Sequence, residues 1–137
     1  MRRIQTVKSF YSTKKAVRII CKANYRDHCR NIFRNLSILT LPSLYIYETI
    51  IFSLTKCSLQ KNCDFHNYST RFNDLYRENS HRLEIYSKLP SQAGIRMINN
   101  LPNHIKTLKN LKQFKHSLKK YLLENAFYSV EEFMDQP

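Results

Sequence analysis

A chain of 137 residues that contains one glycine, Gly94, has few ways to make tight turns. Hairpin turns, β-bulges and close backbone approaches favour glycine, because only a residue without Cβ enters positive-φ backbone at no steric cost. A sandwich or barrel would need such turns about every 8–12 residues. The glycine count therefore argues for helices. The length allows one compact domain and leaves no room for a second full core. An apolar share of 42%, with nine tyrosines and eight phenylalanines, can fill one core and argues against wholesale disorder. The expected class is mainly α, a small irregular helical domain of about five or six short helices with at most one short strand pair.

Hydrophobic spacing places these helices. Residues 1–12 read as a basic, poorly ordered N-terminus, and 13–57 as a basic helical segment around a buried central helix. Ala16, Ile19, Ile20 and Ala23 fall at i, i+3, i+4 and i+7 with Lys15, Arg18 and Lys22 on other faces, which predicts an amphipathic helix from Thr13. A second helix is expected from Asp27, its N-cap, through Ile32, Phe33 and Leu36, with Arg30 and Arg34 outward. Pro42 suits the start of a third, since its missing N–H would have had no partner there. Leu44, Tyr45, Ile46, Tyr47, Ile50, Ile51, Phe52 and Leu54 cover nearly every side of that helix and mark it as the most buried element. A strand is the alternative there, from the Ile and Tyr content.

Residues 58–90 are polar and poorly periodic, the mark of a connection, with Arg82 to Lys88 alternating like a lone short strand. Residues 91–137 return to helices: Ser91 to Leu101, Asn103 to Leu108 after Pro102, and a long one over 106–124. In the long helix Leu108, Leu111, Phe114, Leu118, Tyr121 and Leu122 gather on one side, while Lys106, Lys109, Lys112, Lys119 and Lys120 fan across the other. In the tail, Ser129 is placed to cap a last helix with Glu131 and Glu132 in its first turn, where the helix dipole favours acids.

The net charge of +13 is unevenly spread, with ten Lys and Arg in residues 1–35 against one acid, Asp27. Such a density seeks phosphate or an acidic surface, and each neutralised phosphate releases counterions. The candidate contacts are Lys14, Lys15, Arg18, Lys22, Arg26, Arg30, Arg34, Arg71, Lys109, Lys112, Lys119 and Lys120. Tyr25 and Tyr68 are candidate stacking surfaces for unpaired bases, whereas Tyr45 and Tyr47 belong to the core on pattern.

Catalytic chemistry finds little support. Two-metal sites need converging carboxylates, and here ten acids are scattered, with Glu131-Glu132 the one adjacent pair and already explained as capping. One glycine rules out a glycine-rich phosphate loop. No context marks an activated cysteine or an elbow serine. Cys57, Cys63 and His66 come nearest to a zinc set, but the short Cys-x2-4-Cys knuckle is missing, so no metal or other cofactor is expected. Cys21 and Cys29 read as reduced packing residues, and the mixed polar residues after Met1-Arg2-Arg3 do not read as a secretory signal. The most apolar run, Leu44 to Leu54, falls short of the roughly 20 residues of a membrane span and contains Glu48.

Several separated motifs then add a resemblance. Tyr25-Arg26-Asp27-His28-Cys29-Arg30 is followed by Phe33, Leu36 and Ile38-Leu39-Thr40-Leu41-Pro42-Ser43-Leu44-Tyr45-Ile46-Tyr47-Glu48. In order come His66-Asn67-Tyr68-Ser69-Thr70-Arg71, Gly94-Ile95 to Asn99-Asn100-Leu101-Pro102, Phe114-Lys115 with Leu118 and Tyr121-Leu122, and Tyr128-Ser129-Val130-Glu131-Glu132-Phe133. Together, over residues 13–134, these resemble the extreme C-terminal region of insect non-LTR retrotransposon reverse transcriptases of the jockey-like type. In that family the catalytic aspartates lie upstream in a palm domain, with the endonuclease further upstream. The resemblance therefore implies a truncated, non-catalytic fragment of an RNA-directed DNA polymerase and gives no position here a catalytic role. Similar tails follow the thumb and help hold template RNA or target DNA. The expected partner is RNA or DNA, bound without sequence specificity in the nucleus or cytoplasm. The alternatives are a helical module that docks on a reverse transcriptase body or another protein, and a decayed transposon fragment with no selected function. No membrane partner is expected.

Overall fold

The computed structural model describes residues 2–65, 68, 70–80 and 82–136, with residues 2–7 as backbone. Among them are eight helices and no strand: α1 (Arg2–Ile20), α2 (Cys29–Asn35), α3 (Leu41–Lys56), α4 (Glu84–Ser87), α5 (Pro90–Asn99), α6 (Asn103–Lys106), α7 (Leu111–Asn125) and α8 (Val130–Met134). The expected mainly α class holds, with more helices than the spacing suggested. A 3-10 turn at Asn62–Asp64 and one isolated antiparallel bridge, Lys61 with Tyr76, organise the polar connection.

The core forms where α3 and α5 cross and α7 closes over them. Ile46 and Ile50 of α3 meet Met97 and Ile98 of α5 and Phe114, Leu118 and Leu122 of α7, all nearly or wholly buried. Each such side chain contributes about 1.5–3 kcal/mol on burial.

The crossing of α3 with α5 is the most extensive helix contact and depends on small residues. Ser43, Thr49 and Ser53 of α3 are buried, and Gly94 of α5 lies directly against the last two. A Cβ built on Gly94 would stand 1.8 Å from Ser53 Oγ, 2.7 Å from Ser53 Cβ and 3.0 Å from the Thr49 carbonyl oxygen. The sole glycine is thus used for a close helix approach and not for a turn. Ser53 Oγ donates to the Pro90 carbonyl at 3.3 Å, so the polar atom in the seam is satisfied.

The helix ends manage without glycine. Lys22, Ser37 and Ala126 take up left-handed backbone at φ 51, 54 and 46. After α1, Ala23 N donates to the Arg18 carbonyl and Lys22 N to that of Ile19; after α2, Ile38 N and Ser37 N do the same to Phe33 and Arg34. These are the paired closing bonds that normally place glycine at the left-handed position.

Local caps explain the remaining boundaries. Thr40 is fully buried at the N-terminus of α3, where its Oγ1 accepts from Ser43 N and donates to the Phe127 carbonyl, tying α3 to the end of α7. Ser129 Oγ accepts from Glu132 N at 3.0 Å, the cap expected for α8.

Several expectations are corrected. The first helix begins at Arg2, not Thr13, and takes in the stretch read as poorly ordered. Val17 is its buried residue, while Ile19 and Ile20, expected inward, are 68% and 66% exposed. Asp27 does not cap α2; its carboxylate accepts from Asn24 N at 2.8 Å and closes the preceding turn, leaving His28 at the N-cap position. On α3, Leu44, Tyr45 and Phe52 face solvent, because the buried face is the one that carries Ser43, Ile46, Thr49, Ile50 and Ser53. Residues 84–87 form a helical turn instead of a strand, supported by the i,i+4 pair Lys88–Glu84 at 2.6 Å. The long helix starts at Leu111, where Asn110 Oδ1 accepts from Lys112 N, so Lys106, Leu108 and Lys109 lie outside it.

Two outcomes follow from the backbone geometry. Gly94→Ala is expected to lower stability by about 1–3 kcal/mol in urea denaturation despite alanine's better helix propensity, and to combine with Ser53→Gly less than additively. Ser37→Gly, at an exposed left-handed position, is expected to raise stability by about 0.5–1 kcal/mol in the same measurement.

Candidate nucleic-acid interface

The cations expected to meet phosphate fall into two groups once their surroundings are known. Lys14, Arg18 and Arg30 hold the protein together. Val17, Cys29 and Phe33 form a second small core between α1 and α2, with Tyr128, from the connection of α7 to α8, packed against it. The Tyr128 ring has Lys14 Nζ 4.0 Å and Arg30 Cζ 4.7 Å from its centroid, Phe10 edge-on at 5.3 Å and His28 stacked at 6.2 Å. Arg30, expected outward, is half-buried and bonds to Glu132 Oε1 at 2.7 Å. Glu132 Oε2 accepts from Tyr128 N at 2.8 Å, so one carboxylate fastens both α2 and the start of α8. Arg18 donates twice to the Asp27 carbonyl, at 3.1 and 3.3 Å, and fixes the corner between α1 and α2. Burial pulls the Lys14 ammonium below the usual lysine range, helped by the Arg18 and Arg30 charges and opposed by Cys29.

Lys15, Lys22, Arg26 and Arg34 form the second group, exposed along α1, the corner and α2. Arg34 lies in a shallow depression with Leu123 and Glu124, beside the C-terminal end of α7. On α7, Lys112, Lys119 and Lys120 are exposed on one face, at i, i+7 and i+8, opposite the buried Phe114, Leu118 and Leu122. Lys120 stands 3.9 Å from Glu124, a pair too exposed to hold it strongly. His116 falls between Lys112 and Lys120 on that face, and sequence pattern alone did not single it out.

The remaining candidates, Lys109 and Arg71, are exposed elsewhere, and Lys106, expected on the outer side of the long helix, is not. Lys109 is exposed in the link between α6 and α7. Lys106 turns inward, where its ammonium donates to the Asn99 carbonyl and burial lowers its pKa. Arg71 is exposed on a turn of the 57–83 connection, which is anchored to α5 by the reciprocal Asn99–Tyr76 bonds and the Arg96–Glu78 pair at 2.8 Å. Tyr25 is exposed on the α1–α2 corner, and Tyr68 is exposed in the connection. Tyr47 is half-buried against the core as expected, whereas Tyr45 faces solvent.

For the zinc alternative, Cys57 is half-buried at the C-cap of α3 and Cys63 is an exposed free thiol in the 3-10 turn, while His66 lies outside the described residues. Among the described residues no three His, Cys, Asp or Glu side chains stand close enough to hold a metal ion. No helix among them is long and apolar enough to cross a membrane.

Tyr128 is the centre of this region that sequence pattern missed, since a tyrosine just before a capping serine carries no periodic signal. Its hydroxyl and Arg30 Nε are buried without a hydrogen-bond partner among the described residues. Comparison with protein-family models, with curated proteins and with solved structures finds no match to this chain.

An unpartnered buried hydroxyl costs about 1–3 kcal/mol, so Tyr128→Phe is expected to raise stability near neutral pH by about 1 kcal/mol in urea denaturation. Burial also pushes the Tyr128 hydroxyl above the usual 10.0, seconded by Cys29. The folded chain then keeps a proton that the unfolded chain releases, so stability present below pH 10.0 is lost as pH rises past it. The Phe variant should lose less over that alkaline limb.

Proposed function

We propose that this chain is a non-catalytic nucleic-acid-binding module of the kind found in the tail of a reverse transcriptase, holding RNA or DNA by the phosphate backbone in the nucleus or cytoplasm. The observation that carries this reading is the set of exposed cations Lys15, Lys22, Arg26 and Arg34 along α1, the corner and α2, with Arg34 beside Glu124 at the end of α7 and Lys112, Lys119 and Lys120 exposed on that helix. Two of the acids nearby are engaged and a third is loosely paired. Asp27 closes its turn, Glu132 holds Arg30 and Tyr128, and Glu124 stands beside Lys120.

Lysine and arginine on helix faces meet phosphates without reading bases, so binding would be indifferent to sequence and strongly dependent on salt. The family resemblance adds that tails of this type lie near template RNA or target DNA.

A second reading has its own support. Ile19 and Ile20 of α1, with Leu44, Tyr45 and Phe52 of α3, leave apolar side chains uncovered on two helices. A helical module that docks on a polymerase body or another protein would cover such faces.

Binding to single-stranded RNA and duplex DNA across a salt series tests the first reading. The logarithm of affinity should fall linearly with the logarithm of salt, with a slope of about −0.9 for each phosphate met on duplex and −0.7 on single strands. Replacing Lys15, Arg26 or Lys119 by Ala should reduce that slope by about 1 each where the residue meets a phosphate. A flat response excludes the electrostatic mechanism. Self-association by light scattering without affinity for either nucleic acid favours docking.

A further inference from the structure

The corner between α1 and α2 carries more than charge. Tyr25 is 86% exposed, the most exposed large apolar side chain among the described residues, and it sits at the tip of a closed turn. Asp27 N donates to the Asn24 carbonyl at 3.0 Å, and Asn24 N donates back to Asp27 Oδ2 at 2.8 Å. Arg18 donates to the Asp27 carbonyl through two nitrogens while its guanidinium lies over the Tyr25 ring, 5.6 Å from the centroid. The ring is thus backed by a fixed cation on one side and open to solvent on the other. Lys22 and Arg26, both exposed, lie on either side of it in the chain.

We propose that Tyr25 is a stacking platform for one unpaired nucleobase, so that the α1–α2 corner selects single strands over duplex. The proposal rests on the backbone-binding function above and names the form of nucleic acid that this corner takes. Every base has an apolar face, and an exposed aromatic ring gains from covering it whatever the base. In a duplex both faces of each base are already stacked, and offering one to the ring means unstacking and unpairing it first. The fixed turn lowers the ordering cost of binding, because the ring is presented by reciprocal bonds already in place. Lys22 and Arg26 reach the phosphates flanking the stacked base, and Arg18 is a positioning residue that sets the ring's orientation.

Two features distinguish Tyr25 from the other exposed aromatics. Phe65 is covered by Arg77 at 4.2 Å but is only 46% exposed, and Tyr11, 67% exposed, lies on the side of α1 with no turn to present it. Tyr25 combines a fixed corner, a backing cation and exposed cations one and three residues away.

The test uses the full chain and fluorescence anisotropy with oligonucleotides of about 12 nucleotides, as oligoadenylate RNA, the same sequence as single-stranded DNA, and duplexes of each. Tyr25→Ala is expected to weaken both single strands by about tenfold and the duplexes by less than twofold, with an unchanged helical circular dichroism spectrum. Tyr25→Phe should keep the single-strand affinity, since stacking needs the ring and not the hydroxyl. Lys22→Ala and Arg26→Ala should weaken all four ligands and lower the salt slope. Equal losses on strand and duplex, or no loss on either strand, would overturn the platform while leaving backbone binding in place. A loss confined to RNA would overturn it in favour of a 2′-hydroxyl contact. Absence of binding in every arm at low salt would overturn the backbone-binding function and the platform with it.

Discussion

The close passage of α5 over α3 at Gly94 is the contact on which the rest of the structure rests. A helix can approach another this nearly only where both present small side chains, and here Ser53 and Thr49 meet the single glycine of the chain. That seam sets the height at which Ile46 and Ile50 reach Met97 and Ile98, and the space into which Leu118 and Leu122 of α7 fit. A Cβ at position 94 would lift α5 and loosen the contacts of all three helices together, since packed interiors give little. The cap made by Thr40 extends the arrangement, because its hydroxyl joins the start of α3 to the carbonyl of Phe127 at the end of α7.

The basic layer is attached to this core through Tyr128. Lys14 and Arg30 flank the tyrosine ring, and Glu132 holds Arg30 from the first turn of α8. Three of the seven cations first grouped on α1 and α2 are therefore used to fasten the layer, and four are left facing solvent. A cation held against a half-buried ring or bonded within the protein is less free to reach a phosphate, which is why charge count alone overstates an interface of this type. The cations left outward are interrupted by few acids, and those acids have partners within the protein.

Much of the fold was legible in the chain. The helical class followed from the missing glycines, the start of α3 from Thr40 and Pro42, and the last helix from Ser129 with its two glutamates. The buried face of α7 followed from Phe114, Leu118 and Leu122 at helical spacing. Errors arose where hydrophobicity and burial part company. Ile19 and Ile20 have the spacing of a core stripe, yet α1 buries Val17 and turns the Lys14 ammonium onto Tyr128 and the Arg18 guanidinium onto the Asp27 carbonyl. On α3 the buried face joins Ile46 and Ile50 to Ser43, Thr49 and Ser53, three polar residues that no scale of side-chain hydrophobicity would choose over Leu44, Tyr45 and Phe52. Asn110 cut the long helix short because a side chain that caps Lys112 N competes locally with continued helix. Of the candidate site, the residue types were legible and their partners were not.

The chain by itself determined that it would be helical, basic along its first third and poor in groups that could converge on a metal, because these follow from composition and short-range spacing. Tertiary structure alone decided which apolar stripe faces inward, which cations are fastened to Tyr128 and which remain exposed, and that the one glycine serves a helix crossing. Those choices depend on residues far apart in the chain, such as Ser53 with Gly94 and Arg30 with Glu132, whose meeting is set by packing and leaves no periodic trace along the sequence.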